Sequence, residues 1–212
     1  MFIVIEGIDK TGKSTQVKEL SHRIRQSGVG VVEFGFPCDG TPTGKLIRKW
    51  LAGDVALIKS EMNFRENPRA QEDGFMFQCI QLADKYAAAF EIEKAQDDGN
   101  VVICARWCPS AYAYGIDSGI DSDWLLKVQS YLPEPDINIL LDLDPVEAAK
   151  RSQSQSKDRI DRDLEKQKRL RDLYLKLWDQ PPQDDSIWRV VSASGSIKEV
   201  HERIWSLIDP IH

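Results

Sequence analysis

Four residues near the amino terminus carry the clearest chemistry in the chain. Gly7, Gly12, Lys13 and Ser14 are spaced as G-x-x-x-x-G-K-[ST] across Gly7-Ile8-Asp9-Lys10-Thr11-Gly12-Lys13-Ser14. Phosphates need several donors fixed at once, and a glycine-rich turn lets successive backbone N–H groups converge on them. A helix opening directly after the turn adds the positive end of its dipole. Lys13 can then reach β and γ phosphates, and the Ser14 hydroxyl can ligate Mg²⁺.

That chemistry demands a strand before the loop and a helix after it. Phe2-Ile3-Val4-Ile5 is an apolar run of β-branched and aromatic character, as in a buried parallel strand. Thr15 to Ser27 reads as an amphipathic helix with Val17, Leu20 and Ile24 on one face.

The 212 residues suit one domain with an insertion-like loop at about 53–73, and they can bury a sizeable core. A net charge of −6 argues against nucleic acid as a partner, because phosphate backbones call for a basic face. It leaves room for small nucleotides, which need only a few cations in one cleft. A strand beginning at residue 2 leaves no space for a secretory signal, and no apolar run approaches the ~20 residues of a membrane helix. Cys38, Cys79, Cys104 and Cys108 show no zinc spacing and read as free, mostly buried thiols of a cytoplasmic or equivalent intracellular protein. His22, His201 and His212 fall on predicted helix surfaces or at the terminus, with no Ser–His–Asp arrangement.

Strand and helix patterns alternate along the rest of the chain. Val29–Phe34, Val101–Cys104, Ile137–Leu143 and Trp188–Val191 read as strands. Helices are expected from Pro42 (with Thr41 as cap), over Gly74–Gln96, from Pro109, over Asp121–Tyr131, Pro145–Arg151, Asp163–Trp178 and Ile197–Ile208. On the long helix Phe75, Cys79, Leu82, Tyr86 and Phe90 recur at helical spacing, the mark of a stripe turned to the core. Such alternation specifies an α/β fold, a five-stranded parallel sheet with helices on both faces. Ligands of these sheets bind beyond the carboxyl ends of the strands, placing Gly7–Ser14, Phe36-Pro37, Arg106 and residues 193–195 on one rim.

Several stretches together resemble one family. Phe2 to Gln16, Phe36-Pro37 with Thr43-Gly44-Lys45-Leu46-Ile47, and Leu132-Pro133-Glu134-Pro135-Asp136 leading into Leu140-Leu141-Asp142-Leu143 are similar to thymidylate kinases. So are Ala148 to Arg151, Asp158-Arg159-Ile160-Asp161 and the tail from Val191 to His201. The resemblance implies a P-loop nucleoside-monophosphate kinase with a lid at about 152–162. It would move the γ-phosphoryl group of ATP, with Mg²⁺, onto a deoxypyrimidine monophosphate, by default dTMP. It also implies a homodimer packed through helices.

Roles follow residue by residue from that resemblance. Gly7, Ile8, Asp9, Lys10, Thr11, Gly12, Lys13, Ser14 and Thr15 would hold ATP. Arg151 would pack on adenine opposite Ala193, and Lys157 and Arg159 would belong to the lid. Asp9 would meet the sugar 3′-hydroxyl of the acceptor, and Lys10 would face the transferring group. Arg106 would clamp the acceptor phosphate, a task that suits a guanidinium fork. Tyr114, Phe36 and Pro37 would line the acceptor site.

Four departures fall on the acceptor side. The family's aspartate before the arginine is Ala105, which removes a carboxylate able to hold Mg²⁺ through water and leaves Glu6 and Asp9 to substitute. A phosphate-binding arginine expected after Phe-Pro is replaced at Cys38-Asp39. The base-contacting arginine is Lys85, and the aromatic residue one turn earlier is Gln81. The segment 53–73 is long and carries Arg65 and Arg69, which are expected to supply a missing cation to the acceptor phosphate. These changes keep open a different or base-modified monophosphate, or a nucleotide-binding homologue with impaired turnover. A GTPase is disfavoured because no Asn-Lys-x-Asp motif occurs.

Overall fold

A computed structural model describes residues 1–54, 70–151, 164–182 and 186–208. Strands β1 (Phe2–Glu6), β2 (Val31–Gly35), β3 (Val101–Ala105), β4 (Ile137–Asp142) and β5 (Ile187–Ser192) form one parallel sheet. Their order is β2-β3-β1-β4-β5, which makes β1 the central strand, with Ile5 beside Ala105 on one side and Ile139 on the other. The helices are α1 (Lys13–Gln26), α2 (Pro42–Ala52), α3 (Ala70–Asp97), α4 (Cys108–Asp117), α5 (Ser122–Gln129), α6 (Pro145–Arg151), α7 (Leu164–Asp179) and α8 (Ile197–Ile208).

Alternation along β1 divides the core. Ile3 and Ile5 face Val17, Leu20 and Ile24 of α1, Leu170 and Tyr174 of α7, and Ile204 of α8. Phe2 and Val4 face Ala88, Ile92 and Ala95 of α3, together with Phe36 and Trp107. Every β1 side chain is buried, which is why the strand reads as continuously apolar rather than alternating. Trp107 is wholly buried against Phe2 and Phe36, at ring separations of 5.6 and 5.1 Å.

The structure corrects three expectations. Most of the expected core stripe of α3 faces outward, with Phe75 and Phe90 exposed at 43% and 68%, while Leu82 is half-buried and packs against the core. Its inward face instead carries Phe77, Ile80, Asp84, Lys85, Ala88, Ile92 and Ala95. The small alanines let the helix approach the sheet, so the inward face is not the one with the largest side chains. His201 is not a surface residue: it is buried on α8 beside Val200 and Ile204, and its Nδ1 has no hydrogen-bond partner. Of the cysteines only Cys104 is buried; Cys38 and Cys108 are half-buried and Cys79 is exposed.

α3 also starts at Ala70 rather than Gly74, shortening the segment expected to be irregular. Most of that insertion-like segment, including Arg65 and Arg69, lies outside the described residues, as does the lid at 152–162 with Lys157 and Arg159. Among the described residues no helix is long and apolar enough to cross a membrane.

Candidate active site

The strand order arranges the chemistry along one rim. The loop after β1 stands at the centre, Arg106 and Phe36 follow β3 and β2 on one side, and Ala193 follows β5 on the other. All of them line one cleft of about 1030 Å³. That volume slightly exceeds the ~300–1,000 Å³ typical of single-ligand pockets.

The central loop has the backbone that phosphate binding needs. Gly7 has φ 140°, and a Cβ there would lie 2.6 Å from the Leu141 carbonyl oxygen. Gly12, at φ 97°, precedes α1 without any side-chain cap, so the helix's first N–H groups remain for a ligand. Lys13 is nearly buried, and its Nζ donates to the Gly7 and Ile8 carbonyls at 3.0 and 2.6 Å. Thr11 ties the turn to itself through its hydroxyl and the Ile8 carbonyl at 3.1 Å. Ser14 and Thr15 line the cleft at the start of α1.

Two non-glycine residues among those described have left-handed backbones: Lys10 (φ 64°) and Arg106 (φ 70°). Such conformations cost about 1–3 kcal/mol for ordinary residues and cluster where a side chain must be aimed. Both belong to the predicted catalytic set. Arg106 Nη2 donates to Asp9 Oδ1, and its Nη1 lies 3.3 Å from Ser110 Oγ and 3.5 Å from the Tyr174 hydroxyl. The guanidinium also sits 5.4 Å from the Tyr114 ring centroid. Burial pushes the Tyr114 hydroxyl well above its usual range, so it remains a neutral donor, 3.5 Å from Asp9 Oδ2.

Asp9 is fixed by a residue that no motif in the chain singles out. Gln167 on α7 accepts from Asp9 N at 3.1 Å and donates to its Oδ2 at 3.0 Å. Tyr174 lies two turns along the same helix, and both residues belong to its buried stripe with Leu170 and Leu177. That stripe is the sole trace they leave in the sequence.

Glu6 does not face the cleft as a metal ligand. It is fully buried, its Oε1 accepting from the Trp107 and Ser110 N–H groups at 2.6 and 3.1 Å. Its Oε2 accepts from the Ser110 and Tyr174 hydroxyls at 2.6 and 3.2 Å. Four donors saturate the carboxylate, which anchors the start of α4 and, through Ser110 and Tyr174, the guanidinium of Arg106. It thereby supplies orientation that Ala105 cannot.

At the β5 end Arg151 Nη2 donates to the Ala193 carbonyl at 3.0 Å and to Glu147 at 2.9 Å. The expected Arg151–Ala193 pair is thus brought together. Gln16 joins them on the cleft wall, donating to the Ile197 carbonyl at 3.0 Å while its buried Oε1 has no partner.

At the β2 end Phe36, Pro37, Gln81 and Lys85 all line the cleft, across a cis Phe36–Pro37 peptide. Asp84 staples this wall: it accepts from Cys38 N at 2.8 Å and from the Thr41 and Thr43 hydroxyls at 2.5 and 2.7 Å. Lys85 is 1% exposed, with Nζ 5.8 Å from the Phe36 ring centroid. Burial lowers its pKa, against the opposing pull of Cys108, Glu6 and Asp84.

Comparison with known proteins agrees with this geometry. Residues 5–204 match the family model described as thymidylate kinase. A protein of Pyrococcus horikoshii named "Probable thymidylate kinase" is 34% identical over 98% of this chain and 95% of its own. The thymidylate kinase of Dictyostelium discoideum is 28% identical, covering 99% of this chain and 85% of its own. In fold, the chain is similar to a solved thymidylate kinase from Candida albicans, with TM-score 0.77, 24% identity, and 99% and 91% of the two chains covered.

Proposed function

The chain belongs to the thymidylate kinase family of phosphotransferases, and on that premise we propose that it transfers the γ-phosphoryl group of ATP to a deoxypyrimidine nucleoside monophosphate, with dTMP as the default acceptor. The observation that carries this reading is the Arg106–Asp9 pair, held on the same cleft wall as the Gly7–Ser14 loop. Phosphoryl transfer needs positioning and charge neutralisation more than covalent chemistry, and the site offers both.

The donor's phosphates fit the Gly7–Thr15 loop, with Lys13 on the β and γ oxygens and Lys10 toward the group in flight. Adenine fits the end built by Arg151 and Ala193. The acceptor's phosphate fits Arg106, its sugar Asp9, and its base the wall of Phe36, Tyr114, Gln81 and Lys85. Gln167, Tyr174, Ser110 and Glu6 keep Asp9 and Arg106 oriented, which supports turnover despite Ala105.

Mg²⁺ fits as an ion delivered with ATP. Among the described residues no cluster of three or more metal-ligating side chains occurs, and Glu6 is saturated. Ser14 remains as one hydroxyl ligand, matching the habit of Mg²⁺ to take few protein ligands and complete its shell with phosphates and water. Bound there, the ion would neutralise phosphate charge.

A different or base-modified acceptor is favoured by one observation: a buried lysine, Lys85, stands on the cleft wall beside Gln81. Ammonium offers point donors rather than a planar fork, so the base edge it reads differs from that read by arginine. The outward apolar face of α3, with Tyr86 and Phe90, and the neighbouring Leu126 and Tyr131 support a homodimer, which sedimentation velocity would register as twice the chain mass.

ADP release measured across a panel of deoxy- and ribonucleoside monophosphates tests the function. Turnover is expected to be greatest with dTMP or a close pyrimidine relative. Absence of turnover with every monophosphate, or a preference for purines, would overturn the reading.

A further inference from the structure

The loop that leaves β5 on the cleft wall is gripped from both sides. β5 is an outer strand of the sheet, so one of its edges has no neighbouring strand. Carbonyls of an extended chain alternate in direction, and those at the strand's end need partners on both sides. On the β4 side, Ala193 N donates to the Asp142 carbonyl at 2.8 Å, and the Ala193 carbonyl accepts from Arg151 Nη2 at 3.0 Å. On the free side, the Ser192 and Ser194 carbonyls both accept from Nη1 of Arg203, at 2.9 and 2.7 Å.

Arg203 reaches this loop from a fixed base. Ser196 and Glu199 cap the start of α8 reciprocally: Glu199 Oε2 accepts from Ser196 N at 2.7 Å, and Ser196 Oγ accepts from Glu199 N at 3.3 Å. Ile204, next to Arg203, is wholly buried in the core. A Cβ at Gly195 would lie 2.7 Å from Glu199 Oε2 and 3.8 Å from Arg203 Nη2, so the loop rests directly on these two side chains.

Arg203 is exposed and does not itself line the cleft, whereas Arg151, Ala193 and Gly195 do. Hydrogen bonds from a solvated side chain contribute little to stability, because water competes for the same groups. Their effect here is directional. Drawing the Ser192 and Ser194 carbonyls outward turns the Ala193 carbonyl the other way, toward Arg151, and holds that guanidinium at the end of the cleft assigned to adenine.

We propose that Arg203 is a positioning residue for the donor base: acting through the Ser192 and Ser194 carbonyls, it holds residues 192–195 against Arg151 and so sets the affinity for ATP. The proposal rests on the kinase reading, with adenine at the Arg151–Ala193 end, and adds to it a residue from outside the cleft.

The test is Arg203→Ala, with Arg203→Lys beside it, in the full chain. The measurements are kcat, the KM for ATP and for dTMP, and the inhibition constant of inorganic tripolyphosphate, which fits the Gly7–Thr15 loop and lacks a base. Arg203→Ala should raise the KM for ATP about fivefold or more, and leave kcat, the KM for dTMP and inhibition by tripolyphosphate within about twofold. Arg203→Lys should recover most of the loss, because an ammonium can donate to both carbonyls. Both variants should melt with the wild type. An unchanged KM for ATP overturns the proposal. So does equal weakening of ATP and tripolyphosphate, which would mark a packing defect passed through α8 and α1 to the phosphate loop. If the wild type phosphorylates no monophosphate, the parent reading fails instead, and that control tells the two failures apart.

Discussion

Replacing Glu6 by glutamine separates an anchoring carboxylate from a metal ligand. The side chain is wholly buried and accepts from four donors at 2.6, 3.1, 2.6 and 3.2 Å. An amide of the same shape keeps one acceptor oxygen, best placed against the two backbone N–H groups, and turns its NH₂ toward the two hydroxyls. Those hydroxyls can rotate, but every bond loses the assistance of the charge. Bonds to charged groups contribute ~1.5–3 kcal/mol against ~0.5–1.5 for neutral ones, a loss of about 1 kcal/mol per bond. Allowing for rotation of the hydroxyls, the variant should lose about 3 kcal/mol. For a chain of this size each kcal/mol shifts Tm by roughly 2–4 °C, so Glu6→Gln should melt roughly 6–12 °C below the wild type. The KM for the acceptor should rise, because Ser110 and Tyr174 hold Arg106 from the same carboxylate. The half-saturating Mg²⁺ concentration should not move. Differential scanning fluorimetry and a metal titration of the coupled assay read both. A variant that melts with the wild type while demanding tenfold more Mg²⁺ would refute the anchoring role and restore Glu6 as a metal ligand.

Lys13→Ala should fold normally and lose at least three orders of magnitude in kcat, since it removes the cation on the oxygens where charge moves; near-normal turnover would overturn its assignment. His201 gives a pH dependence of stability. Burial, then the nearby Arg23, lowers its pKa from the usual 6.5, so the unfolded chain takes up the proton first as pH falls. Its contribution is therefore complete above about 6.5 and declines as pH drops from there toward the lower folded value. Between about pH 7.5 and 5.5, wild-type Tm should fall further than that of His201→Leu, and equal falls would show that folding leaves the imidazole's pKa where it is in the unfolded chain.

The parts of this protein legible in its sequence are those whose physics is local. A strand, a glycine turn and a helix are neighbours along the chain, so the phosphate loop could be read from Gly7 to Ser14. The parallel sheet followed from alternating elements, and Arg106 and Phe36 fell on the rim because each ends a strand. What depends on distant partners left little trace. Gln167 lies 158 residues from the Asp9 it fixes. Glu6 reads in the sequence as a metal-binding substitute for the carboxylate missing at Ala105, because nothing near it along the chain announces that Ser110 and Tyr174 converge on it.

α3 shows the same limit from another side. Periodicity established the helix but not its inward face, because large aromatics and small alanines offered two apolar stripes. Close packing against a sheet favours the small residues, and Asp84 could be buried there because Cys38, Thr41 and Thr43 supply its donors. The acceptor wall is thus built from a helix face that a hydrophobicity count ranks second. Asp39 follows the same logic: taken alone it reads as a repulsive substitution, and only the fold reveals Arg48, nine residues along, closing on it. Wherever a charge appears wrong for the ligand, its meaning rests on the partner that the fold brings to it.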